Sequence, residues 1–157
     1  MDIRTDGSLD FPDEVLQELD VVIASIHSGF RQPKARMTAR IVAAIRNPYV
    51  SVIVHPTGRL IGEREAYEID MNEVLRVARE AGTALEINSY PLRLDLSDSY
   101  ARQAKEMGVH LVINSVVHDI SQFDTIHYGV SIARRGGWKR GMCSTLWNCR
   151  NSGSGLE

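Results

Sequence analysis

Three apolar, β-branched runs in this chain each end in a histidine. Val21 to Ile26 precedes His27, Ser51 to Val54 precedes His55, and Leu111 to Val117 precedes His118. A helical pattern follows each run after a loop, so the chain repeats a strand–loop–helix unit. Repeated units of this kind with near-continuous apolar strands imply an α/β fold built on a parallel sheet buried on both faces. In such a sheet the strand ends share one rim, the rim where these folds place their chemistry. A single histidine is more often a buried, satisfied residue; three at strand ends point to transition metals, for which imidazole is the commonest ligand.

The punctuation of the units can be read residue by residue. Asp20 to Ile26 predicts a strand, and Met37, Ile41, Ala44 and Ile45 fall at helical spacing between Pro33 and Arg46. Asn47-Pro48 ends that helix, because a residue before proline avoids the α region. Val50 to Val54 is the second strand. Asp70 is the expected N-cap of a helix to Ala81, with Glu73 completing a capping box and Gly82 closing it in the left-handed conformation. Thr83 to Ile87 is the third strand. Ser97 caps a helix stopped by Gly108, His110 to Val116 is the fourth strand, and Ile120 to Arg135 is the closing helix.

At 157 residues, with 43% hydrophobic and 24% charged residues, the chain is the size and composition of one globular domain. A net charge of −2 argues against a strong sequence-independent grip on nucleic acid. No apolar run approaches the roughly 18 residues of a membrane span, and no signal peptide is apparent, so a cytoplasmic protein without a membrane partner is expected.

The segments LDVVIASIHSGF, HPTGRLIGERE, EINSYPLRLDLSD and YGVSIARRG together resemble the PHP domain of family X DNA polymerases, across roughly residues 2 to 137. That resemblance implies a distorted βα barrel with a metal cluster at its C-terminal rim. It also implies phosphoester hydrolysis, acting as a 3′ to 5′ exonuclease and phosphatase supported by manganese, zinc or iron. DNA or a phosphomonoester would be the substrate. By resemblance His27, His55 and His118 are metal ligands. Arg59 and Arg93 are candidate phosphate contacts, since guanidinium offers a fork matched to phosphate oxygens, although a structural salt bridge is as good a reading of either. Asn88 lies on the same rim. Glu86 is either a carboxylate supporting the ligands or, slightly favoured, a buried structural acid.

The sequence departs from that family in three places. Val116 stands where the family has an aspartate two residues before His118, and valine cannot bind a cation. The family's barrel has further strands upstream, carrying an HxH pair, an Asp, a His and a Glu that would fall just before Met1. The chain is therefore expected to form a partial, half PHP-type barrel, an open sheet, or a barrel completed by dimerisation, with an exposed edge and apolar faces. Finally, the family pattern breaks after Gly136. Back-translated with suitable synonymous codons and read in a shifted frame, Trp138 to Asn151 gives EKRDVLNTLELPE, close to the family continuation.

This division assigns residues 1–137 to a partial PHP-like domain, 138–151 to an out-of-frame tail and 152–157 to a linker with cloning residues. Cys143 and Cys149 then carry no evolved role, while Trp138 and Trp147 are available to pack on the exposed face. The function expected from these features is that of an excised or engineered PHP fragment, folded, weak in metal binding and catalytically inactive. Two alternatives remain. One is a residual metallophosphoesterase that pools its histidines by self-association; the other is a nucleic-acid-binding module using Arg59, Arg93, Arg134 and Arg135.

Overall fold

The computed structural model of the chain describes residues 1–115 and 124–143. A short helix α1 (Asp13–Leu16) precedes four βα units: β1 (Ile23–Ala24) with α2 (Lys34–Arg46), β2 (Val52–Ile53) with α3 (Met71–Ala81), β3 (Ala84–Asn88) with α4 (Asp98–Met107), and β4 (Leu111–Asn114) with α5 (Ile126–Arg135). The sheet is entirely parallel and open, in the order β1-β2-β3-β4. Sequential order with crossovers of one hand places the helices in a single layer, and α2, α3, α4 and α5 pack on one another in chain order. The expected α/β architecture of parallel βα units is therefore present as an open arc.

The helix boundaries follow local chemistry. The Asp70 carboxylate accepts the Glu73 N–H at 3.3 Å, and Ser97 Oγ accepts the Tyr100 N–H at 3.3 Å. Gly82 and Gly108 close α3 and α4 at φ 75° and 72°. The expected capping box at Asp70 is only half formed: the Asp70 N–H donates to Thr38 Oγ1 of α2 at 2.8 Å, so tertiary packing replaces the reciprocal Glu73 bond.

Alternation along the strands separates two faces. Ala24, Ile53, Leu85, Ile87 and Leu111 join the main core with the helices. Ile23, Val52, Ala84 and Val112 form a smaller apolar cluster on the opposite face. On that second face the residue type changes toward the C-terminal rim, where Ser25, Glu86, Asn88 and Asn114 follow the apolar positions. The inner face is thus apolar at its base and polar at its rim.

An exposed sheet edge was expected; the edge at β1 is covered. Met1 to Ile3 lie along it, with Ser25 N–H donating to Met1 O at 3.0 Å and Ile3 N–H to Ser25 O at 2.8 Å. Arg40 of α2, only 2% exposed, holds this segment from beneath. Its Nε donates to Ile3 O at 3.1 Å, Nη2 donates to the same oxygen, and Nη1 donates to Ser28 O at 2.9 Å. Carbonyl oxygens alone thus satisfy a buried guanidinium, and the arginine joins the N-terminal segment to the loop after His27.

At the far end, Trp138 is 8% exposed and its indole N–H donates to Ala101 O at 2.8 Å, so it packs on α4; Trp147 lies outside the described residues. Gly129 lets α5 approach the rim, since a Cβ there would come within 2.1 Å of Ser89 Oγ. Substituting Arg40 with methionine keeps the bulk but strips the Ile3 and Ser28 carbonyls of their donors, so R40M is expected to lose about 2 kcal/mol or more of unfolding free energy. Urea denaturation measures it; a change within about 0.5 kcal/mol would show that Arg40 does not secure the edge.

Candidate functional site

Two of the three strand-end histidines meet at the rim. The His27 and His55 rings lie edge to face, with centroids 5.5 Å apart and planes at 64°. His118 and Val116 lie outside the described residues. The two imidazoles differ in surroundings. His27 is well exposed at 58%, with Nε2 3.1 Å from Ser25 Oγ and Nδ1 3.6 Å from Asp2 Oδ1. His55 is 5% exposed, and its Nδ1 is buried without a hydrogen-bond partner. Burial, reinforced by the nearby positive charge of Arg93, lowers its pKa to about 4, so the ring is neutral near pH 7. A neutral imidazole with an unclaimed nitrogen is the form that can ligate a cation.

His55 is held by its main chain. It sits just past β2 at φ 36°, a left-handed conformation that costs a non-glycine residue about 1–3 kcal/mol. The bonds around it keep it there: its N–H donates to Glu86 Oε2 at 2.7 Å and its carbonyl accepts the Gly58 N–H at 2.9 Å. Glu86 also accepts from Asn88 Nδ2 at 3.1 Å and Asn114 Nδ2 at 3.3 Å. Burial raises the Glu86 pKa to about 7 despite these donors. Glu86 is thus a buried acid that also supports the main chain of His55, and Asn88 is spent on the same network, with Oδ1 accepting the Tyr90 N–H at 3.0 Å.

A second buried acid, Asp95, anchors the loop itself. Its Oδ2 accepts the Thr57 and Gly58 N–H groups, each at 2.9 Å, and its backbone carbonyl accepts the Asn88 N–H. Burial raises its pKa to about 6. Arg59 fastens the same segment, donating from Nε to Arg93 O at 2.7 Å and from Nη2 to Leu94 O. Arg93 is half-buried, and its Nη1 is enclosed without a partner. Arg93 Nη1 is thus enclosed and unpaired, whereas most of Arg59 is committed to the backbone.

Sequence reasoning singled out neither Asp95 nor Asp2. Asp95 carries a faint signal, an acid between Leu94 and Leu96 in a motif otherwise read for its arginine. Asp2 carries none, because only the pairing of Met1 to Ile3 with the β1 edge brings it to His27. Among the described residues no group of three or more His, Cys, Asp or Glu is arranged to hold a metal ion. The histidine pair fits a metal as two nitrogen donors, with His55 Nδ1 the unclaimed one.

The raised pKa of Asp95 has a stability consequence. The folded state holds its proton more tightly than the unfolded chain, so this group's contribution falls as pH rises from about 4 and levels off above about 6. The loss is on the order of 2–3 kcal/mol for a shift of this size. An amide at this position can still accept from Thr57 and Gly58, so D95N is expected to gain on the wild type between pH 4 and pH 6.5 in paired urea titrations. A difference between the two proteins that does not change with pH would contradict the assignment.

No protein-family model matches the sequence. Over 136 residues the chain is 50% identical to the DNA polymerase/3′-5′ exonuclease PolX of Bacillus subtilis, a match covering 87% of this chain and 24% of that protein. It is 37% identical over 131 residues to a probable phosphatase of Thermoanaerobacter sp. (strain X514), covering 76% of this chain and 51% of the relative. The chain thus spans between about a quarter and about half of the length of these relatives. Its fold matches the crystal structure of a histidinol phosphate phosphatase from Lactococcus lactis, complexed with zinc, L-histidinol and phosphate. The TM-score is 0.56 at 18% identity, covering 84% of this chain and 64% of the other. These likenesses, the HPTGR and RLDL segments and the parallel βα arc agree: the chain belongs to the PHP domain family, and it is related to the PHP region of the family X DNA polymerases.

Proposed function

We propose that this chain is a PHP-type phosphoester-binding domain that holds a divalent cation weakly at its rim and does not hydrolyse substrate at an appreciable rate alone. The observation that carries the reading is the His27–His55 pair, with a neutral, buried imidazole whose Nδ1 has no protein partner. His27 and His55 would hold zinc, manganese or iron, which when bound supplies Lewis acidity to a phosphoryl oxygen. Glu86 fixes the His55 main chain, and Asp95 holds the following loop in place. Arg93 would meet the phosphate through its guanidinium, and Asp2 orients His27.

Weak binding and low turnover follow from the donor count in this reading. Among the described residues the rim offers two imidazoles, fewer than the three protein ligands of a typical catalytic zinc site. Val116 supplies no carboxylate where the family has an aspartate. DNA 3′ ends or phosphomonoesters are the proposed ligands. Self-association belongs to the same proposal, since Phe11, Val15 and Leu19 near α1 and Ile126 and Val130 on α5 stay exposed. None of the helices among the described residues is long and apolar enough to cross a membrane.

Metal and turnover test the reading together. Equilibrium dialysis with zinc is expected to show weak binding, reduced about tenfold or more in H27A and in H55A. Hydrolysis of p-nitrophenyl phosphate with manganese or zinc is expected to stay at background. Tightly held metal, or metal-dependent turnover that H55A abolishes, would contradict the proposal.

A further inference from the structure

We propose that Phe30 and Arg64 form a base-stacking platform beside the rim, selecting phosphoesters that carry a nucleobase over those that do not. The inference rests on the phosphoester reading above and names the class of ligand the rim would take. Phe30 lies three residues after His27 in the same loop, with its ring half-buried. The Arg64 guanidinium lies over that ring, with its carbon 4.0 Å from the centroid. The Tyr67 ring runs nearly parallel to Phe30, at 11° with centroids 6.3 Å apart. Together they make an ordered set of flat groups.

The platform is built into the histidine loop. Arg64 Nε and Nη2 both donate to Gly58 O, at 2.9 and 2.7 Å, which fixes the guanidinium plane. Gly58 has to be glycine here: φ is 63°, and a Cβ would fall 2.2 Å from Tyr67 Cε1. The same Gly58 donates its N–H to Asp95. Gly58 therefore ties the loop presenting His55 to the platform presenting Arg64.

A cleft of ≈ 540 Å³ opens at this stack, lined by Phe30, Arg31, Arg64, Glu65 and Tyr67 among others. Arg31 is exposed at its edge, a cation available to a nucleic-acid backbone. A guanidinium stacked on an aromatic ring gains from a planar π-system laid against it, whereas an aliphatic phosphoester gains little. Every base has such a face, so the platform should favour nucleotides without preferring a base.

Short fluorescent single strands test the proposal on the intact chain by anisotropy at low salt, with manganese present. One probe ends in a thymidine 3′-phosphate, one in an abasic tetrahydrofuran 3′-phosphate, and one in a thymidine 3′-hydroxyl on a neutral methylphosphonate backbone. The base-bearing 3′-phosphate is expected to bind about tenfold tighter than the abasic one. F30A should erase that ratio and F30W should keep it. Equal affinity for base-bearing and abasic probes, or an equal loss for both in F30A, overturns the platform; so does failure to bind any probe. Equal affinity for the thymidine 3′-phosphate strand and the neutral methylphosphonate strand, with the base effect intact, instead overturns the phosphoester reading and leaves the platform standing.

Discussion

The carboxylate of Asp95, fully enclosed and bonded to two consecutive backbone N–H groups, is the contact on which the rim depends. It pins Thr57 and Gly58. Gly58 in turn supports the bend after His55 and receives Arg64 through its carbonyl. Glu86 does the complementary work one strand over, holding the His55 N–H and two asparagine amides. Both acids pay for enclosure with raised pKa values, and burial is the leading cause in each. Each raised pKa lowers stability toward neutral pH, while the bonds of the two acids fix the main chain from His55 to Gly58.

The βα rhythm was legible because its signals are local. Asn47-Pro48 ends α2, Asp70 and Ser97 cap their helices, and Gly82 and Gly108 take the left-handed turn. The strands are shorter than their apolar runs suggest: Val50 to Val54 reads as five strand residues, yet only Val52 and Ile53 pair as β2. Apolar periodicity reports burial, whereas strand assignment also requires a neighbour in register. The fourth run and the closing helix were expected to reach Val116 and to begin at Ile120, positions outside the described residues.

Long-range features escaped sequence reading for a common reason. Nothing near Arg40 in the chain indicates that its guanidinium will meet the carbonyl of Ile3, and nothing near Asp2 indicates His27. Such contacts join segments dozens of residues apart. They also explain why the sheet edge at β1 is covered. Within the site, His27 and His55 were found because they end apolar runs. Asp95 was passed over because its neighbour Arg93 carries the more familiar phosphate chemistry. The stack of Phe30, Arg64 and Tyr67 was missed because its members come from two loops with no shared pattern.

The central claim is that buried carboxylates preform this rim without any help from metal. Amide hydrogen exchange on the metal-free chain tests it most directly, through the N–H groups of His55, Thr57 and Gly58. Slow exchange is expected at all three, comparable with the core amides of α3, because each donates to an enclosed acceptor. Exchange at the rate of exposed loops, slowed only after zinc is added, would contradict it.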